Sequence, residues 1–184
     1  MHTRNWILVI IGMLVFGSIA SLGFAAGGDM AAADKKFIKE AASGGMLEVQ
    51  LGEIAQTKAQ SQQVKDFGSK MVTDHGKAND ELKQLAQQKQ IDLPSRLESK
   101  HKSMLDKLQK LSGADFDKQY MKMMVKDHVK DVKDFKDATQ KVKDPDLKAW
   151  AGKTLPVLEQ HLQLARDTAA KVGAETGKAG GKGM

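Results

Sequence analysis

The stretch "VKDFGSKMVTDHGKANDELKQL", Val64 to Leu85, decides the fold. Its Val64, Phe67, Met71, His75, Ala78, Leu82 and Leu85 recur in alternating steps of three and four without a miss. One stripe of a helix is therefore apolar and the rest is charged or amide, the pattern of a helix buried along one side. Part of this string is written again farther on. "MVTDH" at Met71 to His75 and "MVKDH" at Met124 to His128 share the core Met-Val-x-Asp-His, in a chain that has 5 histidines.

The rest of the chain follows the same rule. From Asp34 to Val172 the sequence is rich in Ala, Leu, Lys, Gln, Glu and Met, all good helix formers, and only Pro94, Pro145 and Pro156 interrupt it. A first helix is predicted over Asp34 to Lys58, with Phe37, Ala41, Gly44, Glu48, Leu51 and Ala55 on its stripe. The second is the opening stretch, and it stops before "DLPS", where Pro94 disfavours helix at Leu93 and Ser95 can cap the next one. A short helix carries Leu97, His101, Met104, Leu108 and Leu111. A third long helix carries Met121, Val125, His128, Val132 and Phe135, with Phe116 and Tyr120 leading in. The fourth follows "KDPD" and carries Leu147, Ala151, Leu158, His161, Ala165 and Val172. The expected fold is all-α: a ferritin-like antiparallel four-helix bundle over residues 34–172, with an extra short helix between the second and third long ones. A short helix of about 17 residues rises about 25 Å. That carries the chain back along the bundle, so the second and third long helices run parallel and place their matched strings side by side. The Gly/Lys-rich tail, residues 173–184, has no core residues and is expected to be disordered.

The first residues read as an export signal. Arg4 precedes an apolar run from Trp6 to about Phe16, and small residues end in "GFAAGG", so cleavage is expected near Ala25 and the mature chain is periplasmic or secreted. The alternative is a retained anchor, because the uncharged Trp6 to Phe24 approaches the roughly 20 residues that span a bilayer. Cysteine is absent, which removes disulfides, thiolate metal sites and a lipidated cysteine. Stability must then come from the core, and roughly 160 mature residues suffice for one.

The 29 basic against 23 acidic residues give a net charge of +6. Such a balance suits a polyanion. Export and the alternation of lysine with aspartate argue against nucleic acid, and no nucleic-acid partner is expected. The row Lys118, Lys122, Lys126, Lys130 and Lys133 reads as a solvated face balanced by Asp131, Asp134 and Asp137, with weak contact to an anionic membrane surface as the other reading. No feature points to a particular protein partner. Neither a nucleophile motif, a phosphate loop nor a paired-carboxylate constellation stands out, so an enzyme is not the leading expectation.

The histidines carry the chemistry. His75 lies 16 residues before Ile91, His128 lies 14 before Val142, and His161 lies 16 after Pro145. All three therefore sit roughly 21 to 24 Å from one end of the bundle, in one layer. His101, seven residues after Pro94, falls in a lower layer unless the short helix tilts. Gly44 and Gly45 face the layer from the first helix, either to let a helix approach or to leave room for a ligand. Glu48 is the nearest carboxylate on that stripe, with Glu40 on the other side.

Neutral imidazoles converging with a carboxylate suit Cu, Zn or Fe, and bundle cores build such sites from facing helices. His75, His128 and His161 are the predicted ligands, with His101 and Glu48 as weaker ones. Met71 and Met124 stand one turn before a histidine and are candidate thioether ligands for Cu(I). Asp74 and Asp127 point about 100° away from their neighbouring histidines, so each is expected to reach a ring on an adjacent helix or to face water. The competing reading makes these histidines core residues bonded to Asp, Tyr120 or backbone, in a non-enzymatic envelope stress or interaction protein with pH response.

Four motifs in order, "FIKEAASGGMLEVQLGEIA", "FGSKMVTDHGKANDELKQLA", "LSGADFDKQYMKMMVKDHVKDVKDF" and "TLPVLEQHLQLA", resemble a family of exported bacterial proteins. That family is a domain of unknown function grouped with the ferritin-like bundles, and the resemblance covers about Asp34 to Lys171. It implies a periplasmic ferritin-like bundle and supplies no activity. The wider group often holds two irons with paired Glu-x-x-His motifs. Here Glu98 to His101 has that spacing, on the short helix, whereas Val72, Val125 and Leu158 stand three residues before the other histidines. A histidine-rich single-metal site, or none, is therefore expected in place of a di-iron carboxylate site.

Overall fold

The computed structural model describes residues 30–174; the candidate signal peptide, residues 1–25, and tail residues 175–184 lie outside the described residues. The helices are α1 (Ala32–Lys58), α2 (Gln62–Gln88), α3 (Ser99–Leu108), α4 (Gly113–Lys141) and α5 (Pro145–Lys171). None among the described residues is long and apolar enough to cross a membrane.

α1 pairs with α2 and α4 with α5, and these two hairpins close the bundle through α2 on α5 and α1 on α4. Two buried aspartates tie the ends. At one end Asp34 Oδ2 accepts from the backbone N–H groups of Lys143 and Asp144 at 2.9 and 2.8 Å, joining the start of α1 to the α4–α5 connection. At the other, the Asp117 carboxylate accepts from the N–H groups of Gln60 and Ser61 at 3.1 and 2.8 Å, joining α4 to the α1–α2 connection. α5 starts where "KDPD" predicts: Asp144 Oδ1 accepts from Asp146 and Leu147 N–H, and Pro145 occupies the first turn.

Asp117→Ala removes a charged acceptor from two N–H groups and is expected to cost about 2 kcal/mol in urea unfolding. A loss within about 0.5 kcal/mol would mean that water satisfies those groups as well as the carboxylate does.

The direction of α2 and α4 agrees with the expectation: they run parallel because α3 and its flanks return the chain. They are not side by side. Each pairs with its antiparallel hairpin partner, so α2 and α4 face one another across the bundle's diagonal. α3 has 10 residues, shorter than the expected 17, and begins after Glu98 instead of at Ser95. Pro94 starts an extended approach, and the Glu98 N–H is held at 3.2 Å by Ser43 Oγ of α1, so helix begins only beyond that anchor.

The stripe of α1 is also turned in its first half, while Glu48, Leu51 and Ala55 are buried as expected. Ile38, Ala42 and Gly45 are buried where Phe37, Ala41 and Gly44 were expected, and those three are only half-buried. α1 is covered on two sides, by α2 on one and by α3 and α4 on the other, and Phe37, Ala41 and Gly44 line the cleft between them.

The core forms two apolar clusters. One gathers Leu47, Leu51, Phe67, Met71, Phe116 and Met124, and the other Ile38, Leu82, Phe135, Leu147, Trp150 and Leu158. In α2, α4 and α5 alike, the residue between the two clusters is a histidine.

Candidate metal centre

His75, His128 and His161 converge in that polar layer. Their ring centroids are 5.7 Å apart for His75 and His128, 5.3 Å for His75 and His161, and 5.4 Å for His128 and His161. One ligand nitrogen from each lies within 4.8 Å of the others. Three nitrogens bound tetrahedrally at about 2.0 to 2.1 Å would stand roughly 3.3 Å apart, so closing on one ion needs each to move by less than about 1 Å.

Hydrogen bonds decide which nitrogens are available. His128 Nδ1–H donates to the Met124 carbonyl at 2.9 Å, and a carbonyl can only accept. His161 Nε2–H donates to Asp74 Oδ2 at 2.7 Å. Burial, together with His161, lowers the His128 pKa to about 4. Burial also pushes His75 well down, with the other two rings adding to the effect, and lowers His161 against the opposing pull of Asp74. The rings are therefore neutral at pH 7. In a neutral ring with one nitrogen donating, the other keeps a lone pair. His128 Nε2 and His161 Nδ1 are those atoms; they and His75 Nε2 are buried without any partner. Orphaned buried polar atoms are rare, and three that share one layer fit an electrophilic ion that takes lone pairs.

Asp74 has the arrangement that steadies a ligating imidazole, a carboxylate bonded to its far N–H. Burial raises the Asp74 pKa, but Lys70, 2.9 Å away, and the His161 ring outweigh it and hold the carboxyl below its usual range. Asp74 thus reaches across to α5. Asp127 instead groups with Glu48 and Asp131, one oxygen of each lying within 4.8 Å of the others. Glu48 is fully buried and its Oε1 stands 3.9 Å from His128 Nδ1, the nitrogen that faces away from the shared lone pairs. Burial first, then Asp127 and Asp131, pushes the Glu48 carboxyl well above the usual range, and burial with Asp127 pushes Asp131 up to about 7.

The remaining candidates lie around this centre. His101 bonds through Nδ1 to Ser43 Oγ at 2.7 Å and stands outside the triad; burial, then Lys100, lowers its pKa. Met71 and Met124 are fully buried in the apolar cluster one turn from His75 and His128. The two glycines have different reasons. A Cβ on Gly45 would strike the Asn79 side chain of α2, whereas one on Gly44 would meet nothing within 4 Å, because Gly44 faces the cleft. Of the partners expected for structural histidines, an aspartate and a backbone carbonyl are present, but the Tyr120 hydroxyl has no partner.

Ser43 and Asp131 were not singled out as site residues from the sequence. Asp131 had a signal, four residues after Asp127 on the same helix face. Ser43 had none, since only the path of α3 brings His101 to it.

The same fold occurs in a DUF305 fragment from Deinococcus radiodurans, with a TM-score of 0.69, 8% identity, and coverage of 78% of this chain and 99% of that one. A DUF305 protein from Streptomyces coelicolor whose name marks it as secreted also has a TM-score of 0.69, at 16% identity over 82% of this chain and 97% of its own. CopM in its Cu(II)-bound form has a TM-score of 0.64, at 17% identity over 75% of this chain and 96% of its own. At such identities the likeness is one of fold. No curated protein sequence matches the chain. The family model described as "Domain of unknown function (DUF4142)" matches residues 20–168, and the chain belongs to that family.

Proposed function

We propose that this protein is an exported, non-enzymatic bundle that holds one transition-metal ion, copper or zinc, through His75, His128 and His161. The observation that carries the reading is the set of three buried imidazole nitrogens without partners in one layer, two of them lone pairs on rings oriented by Asp74 and the Met124 carbonyl. Thioethers at Met71 and Met124, one turn away, favour Cu(I) over Zn²⁺. The Cu(II)-bound state of CopM, on the same fold, supports a copper reading. Export is supported by the layout of the N-terminal residues and by the Streptomyces neighbour whose name marks it as secreted.

The test is metal content of the purified mature protein by elemental analysis, followed by titration with Zn²⁺, Cu⁺ and Fe²⁺. Wild type is expected to bind one ion more tightly than about 1 µM, and the His75→Ala, His128→Ala double variant about 100-fold more weakly. Because burial lowers the pKa of all three rings, proton competition is weak, and the affinity should fall less between pH 7.5 and 5.5 than it would for three imidazoles titrating near the ordinary value of about 6.5. Wild-type binding no better than micromolar, or equal binding by the double variant, overturns the proposal and leaves the histidines as core residues of an envelope interaction protein.

A further inference from the structure

We infer a second cation site, chemically distinct from the histidine triad, in which Glu48 of α1 and Asp127 and Asp131 of α4 hold a hard divalent cation of the Mn²⁺ or Ca²⁺ kind. Three carboxylate oxygens, one from each residue, lie within 4.8 Å of one another. Asp127 and Asp131 are one helical turn apart, so both project from α4 toward the same side, and Glu48 meets them from α1.

Acidic clusters on surfaces are common and need no ion, but this one has a buried member. Glu48 is 0% exposed, no N–H or hydroxyl donor reaches either of its oxygens, and its close polar neighbour is another acid, the Asp127 carboxyl. Tyr120, also 0% exposed, has a hydroxyl without a partner, and the Glu48 charge acts on it. The buried member of the cluster therefore lacks a compensating donor in the dry interior, where an uncompensated carboxylate is unfavourable.

Lys130 and Lys100 act on Asp131 from a distance, and neither closes an ion pair with the cluster. Among the described residues, no lysine or arginine forms an ion pair with any of the three carboxylates. Lys130 is paired with Asp134 at 2.5 Å, and Lys100 with Glu98 at 3.2 Å. His128 Nδ1 stands 3.9 Å from Glu48 Oε1, and it is committed to the Met124 carbonyl.

Access exists. A cleft of about 930 Å³ between α1, α3 and α4 is lined by Gly44, Asp127 and Asp131, and the open side of Gly44 leaves its wall bare. A hydrated ion can approach there, lose part of its water to Asp127 and Asp131, and complete an oxygen shell with Glu48 and retained water. All-oxygen carboxylate sites suit Mn²⁺, Ca²⁺ and Mg²⁺, whereas the imidazole triad suits copper and zinc, so the sites select different ions. The His128 ring separates them, with Glu48 on its Nδ1 side and the unpaired Nε2 on the other.

The experiment uses Mn²⁺ as probe on the full mature chain at pH 7.5, followed by electron paramagnetic resonance and calorimetry. Wild type is expected to bind one Mn²⁺ more tightly than about 1 mM, the weak end of extracellular cation sites. Asp131→Asn and Asp127→Asn, both at the half-buried wall of the cleft, should each weaken binding at least about tenfold while circular dichroism stays helical. His75→Ala, His161→Ala should leave Mn²⁺ affinity within about threefold, which separates this site from the triad. An absence of saturable binding up to roughly 5 mM, or an unchanged affinity in Asp131→Asn, overturns the inference.

Discussion

In chelator-treated protein, Glu48→Gln is expected to be more stable than wild type at pH 8, by about 3 kcal/mol in urea unfolding. The sign follows from linkage. Burial and the two aspartates hold the Glu48 carboxyl well above its ordinary value of 4.5. A group whose pKa is raised on folding favours the folded state most below its unfolded pKa, and that advantage is lost as pH rises through the folded value. By pH 8 the wild type has therefore lost, through that carboxyl, stability that the neutral amide does not lose. At pH 4 both side chains are neutral, and the difference should shrink below about 1 kcal/mol. The amide also brings donors that Asp127 and Asp131 can accept. Adding Mn²⁺ should reverse the order, because a ligand that binds only the folded wild type stabilises it by mass action. A Glu48→Gln variant less stable than wild type at pH 8 without metal would show that the carboxylate is already compensated.

Gly52→Leu should have an effect of comparable size and opposite sign. A Cβ at Gly52 would stand 2.5 Å from the Gly68 carbonyl oxygen and 2.9 Å from Val72 Cγ2, and one at Gly68 would stand 2.7 Å from Ala55 Cβ. The obstacle is partly backbone, which no rotamer change relieves. Leucine is a better helix former than glycine by almost 1 kcal/mol. Separating α1 from α2 costs more, since overpacking alone costs about 1 to 3 kcal/mol and the parted helices also lose contacts. The net loss is expected to be about 3 kcal/mol in urea unfolding. Gly76→Ala is the control: no atom lies within 4 Å of its added Cβ, so propensity acts alone and the variant should gain up to about 1 kcal/mol. If both substitutions stabilise the protein, the close crossing of α1 and α2 is not what glycine serves at position 52.

Much of the fold was legible because helical periodicity is a local signal. The four long helices, their stops at "DLPS" and "KDPD", and the parallel course of α2 and α4 follow from stripes, prolines and connection length. On α1 the second half of the stripe, Glu48, Leu51 and Ala55, is buried as expected, and the first half was misjudged because that helix is covered on two sides and periodicity alone does not say which of two apolar stripes meets which neighbour. The length of α3 was misjudged because its start depends on Ser43, 55 residues away from Glu98 in sequence.

The candidate site divides along the same line. Residue counting from the bundle end places His75, His128 and His161 at one depth, since rise per residue is constant in a helix. Whether rings at one depth face one another depends on how each helix is rotated, and rotation is decided by packing. Helix rotation also sent Asp74 to His161 on α5 and Asp127 to Glu48 on α1, although each aspartate occupies the same place in its Met-Val-x-Asp-His string. The sequence by itself determined the helices, their order and the depth of the histidine layer, because these depend on local spacing. Only the tertiary structure decided that three imidazole rings meet in one layer and that Glu48 joins Asp127 and Asp131 beside them, because those pairings join residues that the chain keeps far apart.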